Sequence, residues 1–226
     1  MRSNIRFFFS KTKGFLIPYS LFVLGSIIFL VLYEKGKEVL LINSFSNTIL
    51  DRFFLTITDV GLGGFAVIIA LLMMFLSFKW SFLTLFSLVW TGIFTFTFKR
   101  ILFESETRPL HYFYYADFSR FIHEAPLIYY NSFPSGHTMT IFAFCFILSW
   151  LSGTVRTGVV LFFLAFIVGL SRIYLLQHFG VDVLAGSALG ILAASISIII
   201  FRYVLSVKWR NYLNNGLWNL IVNRAN

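Results

Sequence analysis

Apolar residues fall in six long runs along this 226-residue chain, and polar residues collect between the runs. A transmembrane helix needs about 20 predominantly apolar residues, and a run shorter than that can extend into flanking polar residues. The pattern therefore predicts an all-α, polytopic membrane protein with six transmembrane helices in a bundle and residues 1–226 as a single domain. The predicted spans are about 14–33, 60–78, 81–98, 138–151, 157–174 and 183–204.

Two long loops separate these runs on one side of the predicted membrane. In the first, about residues 34–59, apolar residues recur at mixed spacing, which fits either a helix lying in the interface or an ordinary packed connector. The second, about residues 99–136, is rich in Tyr, His and Phe. We interpret it as an interfacial aromatic belt, with a lid or lipid-facing rim as the alternative.

Composition agrees with a membrane protein. The chain is 58% hydrophobic and only 12% charged, and it contains 30 phenylalanines. This excludes an ordinary soluble core. The single cysteine, Cys145, excludes an intramolecular disulfide and any cysteine-based metal site. Gly186 and Gly190 lie four residues apart in the last run, where small side chains favour close helix packing inside the bundle.

Charge is distributed unevenly between the two sides. With the termini and the turns at 79–80 and 152–156 lie ten basic residues and no acidic ones, whereas the opposite side has eight basic and all nine acidic residues. Basic residues favour the cytoplasmic side, so we expect cytoplasmic termini. We interpret the net charge of +9 as a topology signal, not as a nucleic-acid-binding surface. The first run lacks a small-residue cleavage site and is interpreted as an uncleaved span.

Ionisable residues gather at the ends of four runs, all on the outer face. Such residues beside a membrane span indicate a functional site by default. The six-span topology places all of these residues on the same side of the membrane, which favours one shared site. They are Lys99 and Arg100, His137, Arg172, and His178 with Asp182.

The segment FPSGHTMTIF begins the fourth run. Pro134 fits a helix start, Ser135 can cap it, and Gly136 lets a bulky group approach the backbone. The free N–H groups of a first helical turn attract anions. With His137 in the same turn, the segment predicts a phosphate site, and a plain helix start with an incidental histidine is the alternative.

The segment SRIYLLQHFGVD links the fifth and sixth runs. His178 and Asp182 are four apart, so on a helix they share a face, and a carboxylate behind an imidazole fixes its tautomer. This makes His178 the better nucleophile of the two motif histidines. Arg172 follows a long apolar run and must find an anion.

The segment KRILFESETRP follows the third run. Lys99, Arg100 and Arg108 can surround a multiply charged oxyanion, since arginine offers a planar fork and lysine a point charge. Taken alone, the segment is a basic interfacial edge.

Together these residues resemble the type 2 phosphatidate phosphatase family, in the superfamily that includes vanadium haloperoxidases. Ser171, Arg172, His178 and Asp182 match the third motif of that family, and Pro134 to His137 match the second. In the first motif, Lys-x6-Arg-Pro, the chain departs from the pattern. Eight residues separate Lys99 from Arg108-Pro109, and seven if Arg100 is counted, which predicts a local bulge.

The resemblance implies a six-helix membrane bundle with a metal-independent phosphatase site and no cofactor. His178 would attack phosphorus and form a phosphohistidine, with Asp182 orienting it and His137 protonating the leaving oxygen. The phosphate would be held by Lys99 or Arg100, Arg108, Arg172, Ser135 and Gly136. Several fixed cations beside two histidines suit this chemistry.

The expected function is removal of a phosphate from a lipid at the outer face of a plasma or bacterial inner membrane. Undecaprenyl diphosphate or a lipid A phosphate is favoured, and phosphatidylglycerol phosphate or phosphatidate is the alternative. A more distant alternative is a non-enzymatic lipid-phosphate binding or transport protein. The expected partners are the lipid phosphate and membrane lipids, without nucleic acid, and the oligomeric state stays open.

Overall fold

A computed structural model describes residues 2–113 and 125–218, with side chains from residue 6 onward. All regular elements in these ranges are helical, which confirms the all-α class. The helices are α1 (Arg2–Leu32), α2 (Lys37–Asn43), α3 (Thr48–Ile57), α4 (Gly63–Met73), α5 (Phe78–Phe96), α6 (Pro109–Tyr112), α7 (Gly136–Ser152), α8 (Val155–Tyr174), α9 (Gly180–Ile199) and α10 (Val207–Leu213). A 3-10 turn, Thr58–Gly61, precedes α4, and π-helical segments, Thr97–Leu102 and Ile200–Val204, extend α5 and α9.

The predicted multi-pass architecture is confirmed. Within the described residues, four helical stretches are long and apolar enough to cross a membrane: Arg6–Leu32, Phe78–Leu102, Val155–Tyr174 and Gly180–Val204. A bent pair, Thr48–Gly61 with Gly63–Met73, supplies a fifth span if it is counted as one, and the shorter apolar helix Gly136–Ser152 brings the total to the six apolar segments expected.

The second span differs most from its predicted form. Instead of a straight helix over 60–78, the chain bends by 58° at Leu62, whose extended backbone interrupts the helix. Packing explains the bend. A Cβ on Gly61 would lie 2.9 Å from Val168 and 3.1 Å from His137, so the chain turns where it meets α7 and α8.

Helix α7 lies at the centre of the bundle. Met139, Ile141, Phe142 and Phe146 have no exposed surface, because α1, α5, α8 and α9 surround the helix. A Cβ on Gly186 would lie 2.5 Å from the Ser135 carbonyl oxygen, and one on Gly190 would lie 2.3 Å from that of Met139. The predicted role of both glycines in close packing is confirmed.

The first long loop forms two helices, α2 and α3, that pack against α8. Val39 and Phe54 are buried there, while Ile49 on the other face is 80% exposed. The Tyr174 hydroxyl donates to Asp51 Oδ1 at 2.6 Å. The loop thus forms helices that pack against α8 on one face and expose an apolar second face.

The termini, as far as they are described, lie at one end of the bundle. Arg202, near the C-terminal end of α9, stacks its guanidinium 4.0 Å from the centre of the Phe7 ring, and Lys79 lies 5.2 Å from that of Trp150. The start of α9 lies at the opposite end. The second long loop spans 99–136, and residues 114–124 of it fall outside the described residues.

Candidate active site

The motif residues meet at the end of the bundle where α7 and α9 begin. The Ser135 backbone N–H donates to the Asp182 backbone oxygen at 3.0 Å. Arg108 donates from Nη1 to the Gln177 carbonyl oxygen at 3.2 Å, next to His178. The three motif segments, far apart in sequence, therefore form one cluster.

The start of α7 has the predicted capped form. Ser135 is the N-cap, and its hydroxyl accepts hydrogen bonds from the Thr138 backbone N–H at 3.4 Å and from the Thr138 hydroxyl at 2.8 Å. Gly136 and His137 occupy the first turn and line a cavity. The helix thus presents its positive end to that cavity.

His178 and Asp182 lie close together, although His178 is not on a helix as the i,i+4 spacing suggested. It lies in the loop before α9, whose first residue is Gly180. His178 Nδ1 is 3.5 Å from Asp182 Oδ2, longer than an ordinary hydrogen bond. The Ser132 hydroxyl donates to the same carboxylate oxygen at 2.5 Å and is also 3.5 Å from His178 Nδ1. Ser132 therefore completes a three-residue cluster.

The charge state of His178 follows from its surroundings. The residue is 1% exposed, and this burial lowers the pKa of its imidazole well below the ordinary value. The positive charges of Arg108, Lys99 and Arg172 lower it further. The imidazole is therefore neutral near pH 7, which is the nucleophilic form.

Arg172 is buried at the end of α8, with 5% of its surface exposed. Its Nη1 donates to the Thr58 hydroxyl at 2.6 Å, while its buried Nε has no hydrogen-bond partner in the described part of the chain. A buried, unsatisfied N–H of a charged group is costly. An oxyanion bound here would satisfy it.

Lys99 and Arg100 lie in the π-helical segment Thr97–Leu102, so the bulge expected from the first-motif spacing is present. A π-helical turn accommodates an extra residue. Lys99 is half-buried and donates to the Asn131 carbonyl oxygen at 2.9 Å, the same oxygen that Arg108 Nη2 approaches at 3.4 Å. Arg100 is exposed at the rim. The geometry favours Lys99 for the first-motif role.

A cavity of about 720 Å³, called here the cationic cavity, joins these groups to the lipid-facing surface of α4 and α5. Its polar end contains Lys99, Arg100, Arg108 and His137; its apolar end contains Val67, Leu88, Gly92 and Phe96. His178, Arg172, Asp182 and Ser135 are buried beside it and do not line it.

Sequence reasoning missed several residues that hold the site together. Gln177 accepts from Arg108 Nη1 through Oε1 at 2.9 Å and donates to the Pro126 carbonyl oxygen at 2.7 Å. Gln177 and Ser132 lie within two residues of motif positions, which was an available signal. No sequence signal could have indicated Thr58 or the Asn131 carbonyl oxygen, because a hydroxyl far away in the chain and a backbone oxygen leave no pattern in the sequence.

Among the described residues, no group of three or more His, Cys, Asp or Glu side chains is placed to hold a metal ion. The charged groups assembled here are mainly cationic, and they suit an anion.

The family model described as "PAP2 superfamily" matches residues 80–206, more than half of the chain. The chain belongs to the PAP2 superfamily. The predicted family membership is confirmed.

Two solved structures are similar in fold. LpxE of Aquifex aeolicus superposes with a TM-score of 0.61 at 23% identity, covering 73% of this chain and 94% of that one. The PAP2-type phosphatidylglycerolphosphate phosphatase of Bacillus subtilis gives a TM-score of 0.56 at 22% identity, covering 88% and 99%. Bacitracin transport permease protein BcrC of Bacillus licheniformis is 44% identical over 64 residues. That match covers 28% of this chain and 30% of BcrC, less than a third of either.

Proposed function

We propose that the protein hydrolyses the phosphate of a membrane lipid through a phosphohistidine on His178. The observation that carries this proposal is the site itself. Buried His178 lies beside Asp182, and Lys99, Arg108 and Arg172 surround it, next to the polar end of a cavity whose other end is apolar.

The proposed first step is attack on phosphorus by His178. Its Nδ1 faces Ser132 and Asp182, which leaves Nε2 as the attacking nitrogen. The new N–P bond forms as the bond from phosphorus to the lipid oxygen breaks, and His137 gives its proton to that oxygen. The cations and the first-turn N–H groups of α7 stabilise the charge spread over the equatorial oxygens.

The proposed second step is hydrolysis of the phosphohistidine. His137, now neutral, takes a proton from water, which attacks phosphorus and releases inorganic phosphate and free His178. Asp182 stabilises the charged imidazole between the steps. No metal enters either step.

A lipid substrate fits the cationic cavity. Its apolar end, between α4 and α5, can hold the first part of a hydrocarbon tail while the phosphate reaches Arg108 and His137. We favour undecaprenyl diphosphate or a lipid A phosphate, with phosphatidylglycerol phosphate or phosphatidate as the alternative.

We further propose that the site lies on the periplasmic or external face of an inner membrane, with cytoplasmic termini. The support is charge. The end of the bundle that contains Phe7 and Arg202 also contains Lys11, Lys79 and Arg210, and no acidic residue of the described part of the chain lies there, whereas the site end has both basic and acidic residues.

A transport role is the second candidate, favoured by the name of the Bacillus licheniformis relative. Binding and transport need only the cations. Neither binding nor transport requires the cluster of His178, Ser132 and Asp182. The presence of that cluster therefore supports an enzymatic role.

The test is phosphate release by purified protein in detergent with EDTA, over a panel of the four lipid phosphates. His178→Ala should lower release by at least about 10³-fold, because it removes the nucleophile. His111→Ala is the matched control, since His111 is exposed and, within the described residues, its side chain is hydrogen-bonded to the Tyr130 hydroxyl, away from the motif residues. Radiolabelled substrate should leave an alkali-stable, acid-labile label on the wild type. Release that needs a metal would overturn the mechanism, and binding of a lipid phosphate without release would favour transport.

A further inference from the structure

A second cavity lies on the other side of the bundle, between α1, α8 and the start of α9. It has a volume of about 510 Å³ and shares no lining residue with the cationic cavity. Phe22, Phe162 and Phe166 form its wall, and Leu21 and Phe163, which are 67% and 51% exposed, lie at its lipid-facing opening. We call it the α1–α8 groove.

Glu38 is the single ionisable residue among those that line the groove. It is 8% exposed, and its Oε1 accepts a hydrogen bond from the Gly180 backbone N–H at 2.9 Å. Its Oε2 is buried without a hydrogen-bond partner in the described part of the chain. An unsatisfied buried carboxylate oxygen is costly and calls for a donor, most effectively a charged one.

A positive charge also lies next to the groove, close to Gly180 at its rim. Lys35 lies in the turn before α2, three residues before Glu38, and its ammonium lies 4.7 Å from the ring centre of Phe179, the residue before Gly180. The Lys35 ammonium lies 3.8 Å from Glu106 Oε2, but the two side chains are 44% and 45% exposed, so this surface ion pair is weak and a lipid phosphate can replace the Glu106 carboxylate. The rim thus offers an acceptor for an ammonium group and a cation for a phosphate.

We propose that the α1–α8 groove is a binding site for an aminophospholipid, separate from the phosphatase site. The primary ammonium donates to Glu38 Oε2, the phosphodiester faces Lys35, and an acyl chain lies along Phe22, Phe162 and Phe166. A choline headgroup fits the same volume but has no N–H to donate, so the site selects ammonium over trimethylammonium.

The test uses full-length protein in detergent and native mass spectrometry with dioleoyl phosphatidylethanolamine, phosphatidylcholine and phosphatidylglycerol. The wild type should bind the ethanolamine lipid about tenfold more tightly than the choline lipid, as expected for one charge-assisted hydrogen bond. Glu38→Gln keeps the side-chain shape and an acceptor for Gly180, and it should reduce the preference to about twofold or less. Glu34→Gln removes the same charge from an exposed position four residues earlier, and it should leave the preference intact.

A second pair of variants tests the groove independently of Glu38. A Cβ on Gly25 or on Gly64 meets no atom within 4 Å, so both positions accept a larger side chain. Gly25 lines the groove, whereas Gly64 lines neither cavity. Gly25→Leu should abolish the selective binding, and Gly64→Leu should retain it.

Three results would overturn the proposal. They are equal binding of the ethanolamine and choline lipids by the wild type, a preference that survives both Glu38→Gln and Gly25→Leu, and equally tight binding of the glycerol lipid. A preference that survives both substitutions would place the lipid in the cationic cavity. Equally tight binding of phosphatidylglycerol would mean that a hydroxyl group, not an ammonium group, donates to Glu38. Because the readout is binding, the result does not depend on phosphatase activity.

Discussion

Two cavities in the described part of the bundle, of about 720 and 510 Å³, are opposite in chemistry. The cationic cavity, between α4, α5 and α7, ends at Lys99, Arg108 and His137, whereas the α1–α8 groove has one carboxylate in an otherwise apolar wall. Both lie against residues next to the start of α9. An apolar cleft is ordinary in a membrane bundle, and the charged groups at its polar end distinguish a reaction site from a lipid-binding site.

Among the predictions that test this contrast, replacement of Arg172, beside the cationic cavity, should have the largest effect. Arg172→Gln should lower kcat/KM for the lipid phosphate by about 100-fold, because an oxyanion would lose a charged donor in a water-poor site. Kinetics on the purified variant would measure it. The matched control is Arg156→Gln, which removes an exposed arginine from the opposite end of the same helix. Equal activity of the two variants would contradict the catalytic role assigned to the buried Arg172.

A smaller effect should separate the apolar end of the cationic cavity from its polar end. Gly92 lines that cavity, and a Cβ there meets no atom within 4 Å, so Gly92→Leu should fold while narrowing the space between α4 and α5. We expect about tenfold slower hydrolysis of a long-chain lipid phosphate, since part of its apolar contact is lost. A water-soluble phosphate ester should be hydrolysed as by the wild type. Gly64→Leu is the control, and an equal loss on both substrates would contradict the tail position.

The smallest effect concerns Ser132, which acts through its neighbours. Ser132→Ala removes one hydrogen bond to Asp182 and should lower kcat by about three- to tenfold, with KM unchanged. Ser132→Thr keeps the hydroxyl and should restore most of kcat. A change in KM alone, or no rescue by threonine, would show that Ser132 contributes only to packing.

Much of this architecture could be predicted because the hydropathy that marks a membrane helix is a property of one short segment of the chain. Runs of apolar residues indicated the multi-pass bundle, and the spacing of Gly186 and Gly190 indicated close packing. Motif spacing placed His137, Arg172, His178 and Asp182 at one end. The extra residues between Lys99 and Arg108 indicated the bulge that the π-helical segment forms.

The parts that could not be predicted depend on contacts between distant segments. The bend at Leu62 follows from the approach of Gly61 to α7 and α8, and the partner of Arg172 is Thr58, 114 residues away. The direct His178–Asp182 pairing expected from spacing became a cluster with Ser132, because the loop before α9 is not helical.

The amino-acid sequence was sufficient to assign the class of the protein and the chemistry of its motif residues, since hydropathy, charge and spacing are properties of short segments. The packing of the helices, in contrast, half-buries Lys99 while leaving Arg100 exposed, and it brings Lys99 and Arg108 to the same carbonyl oxygen, that of Asn131. It also leaves Glu38, a residue of the short helix α2, with a buried carboxylate oxygen that has no hydrogen-bond partner in the described part of the chain. Burial and hydrogen bonding depend on which segments pack together, and a linear pattern of residues does not record that.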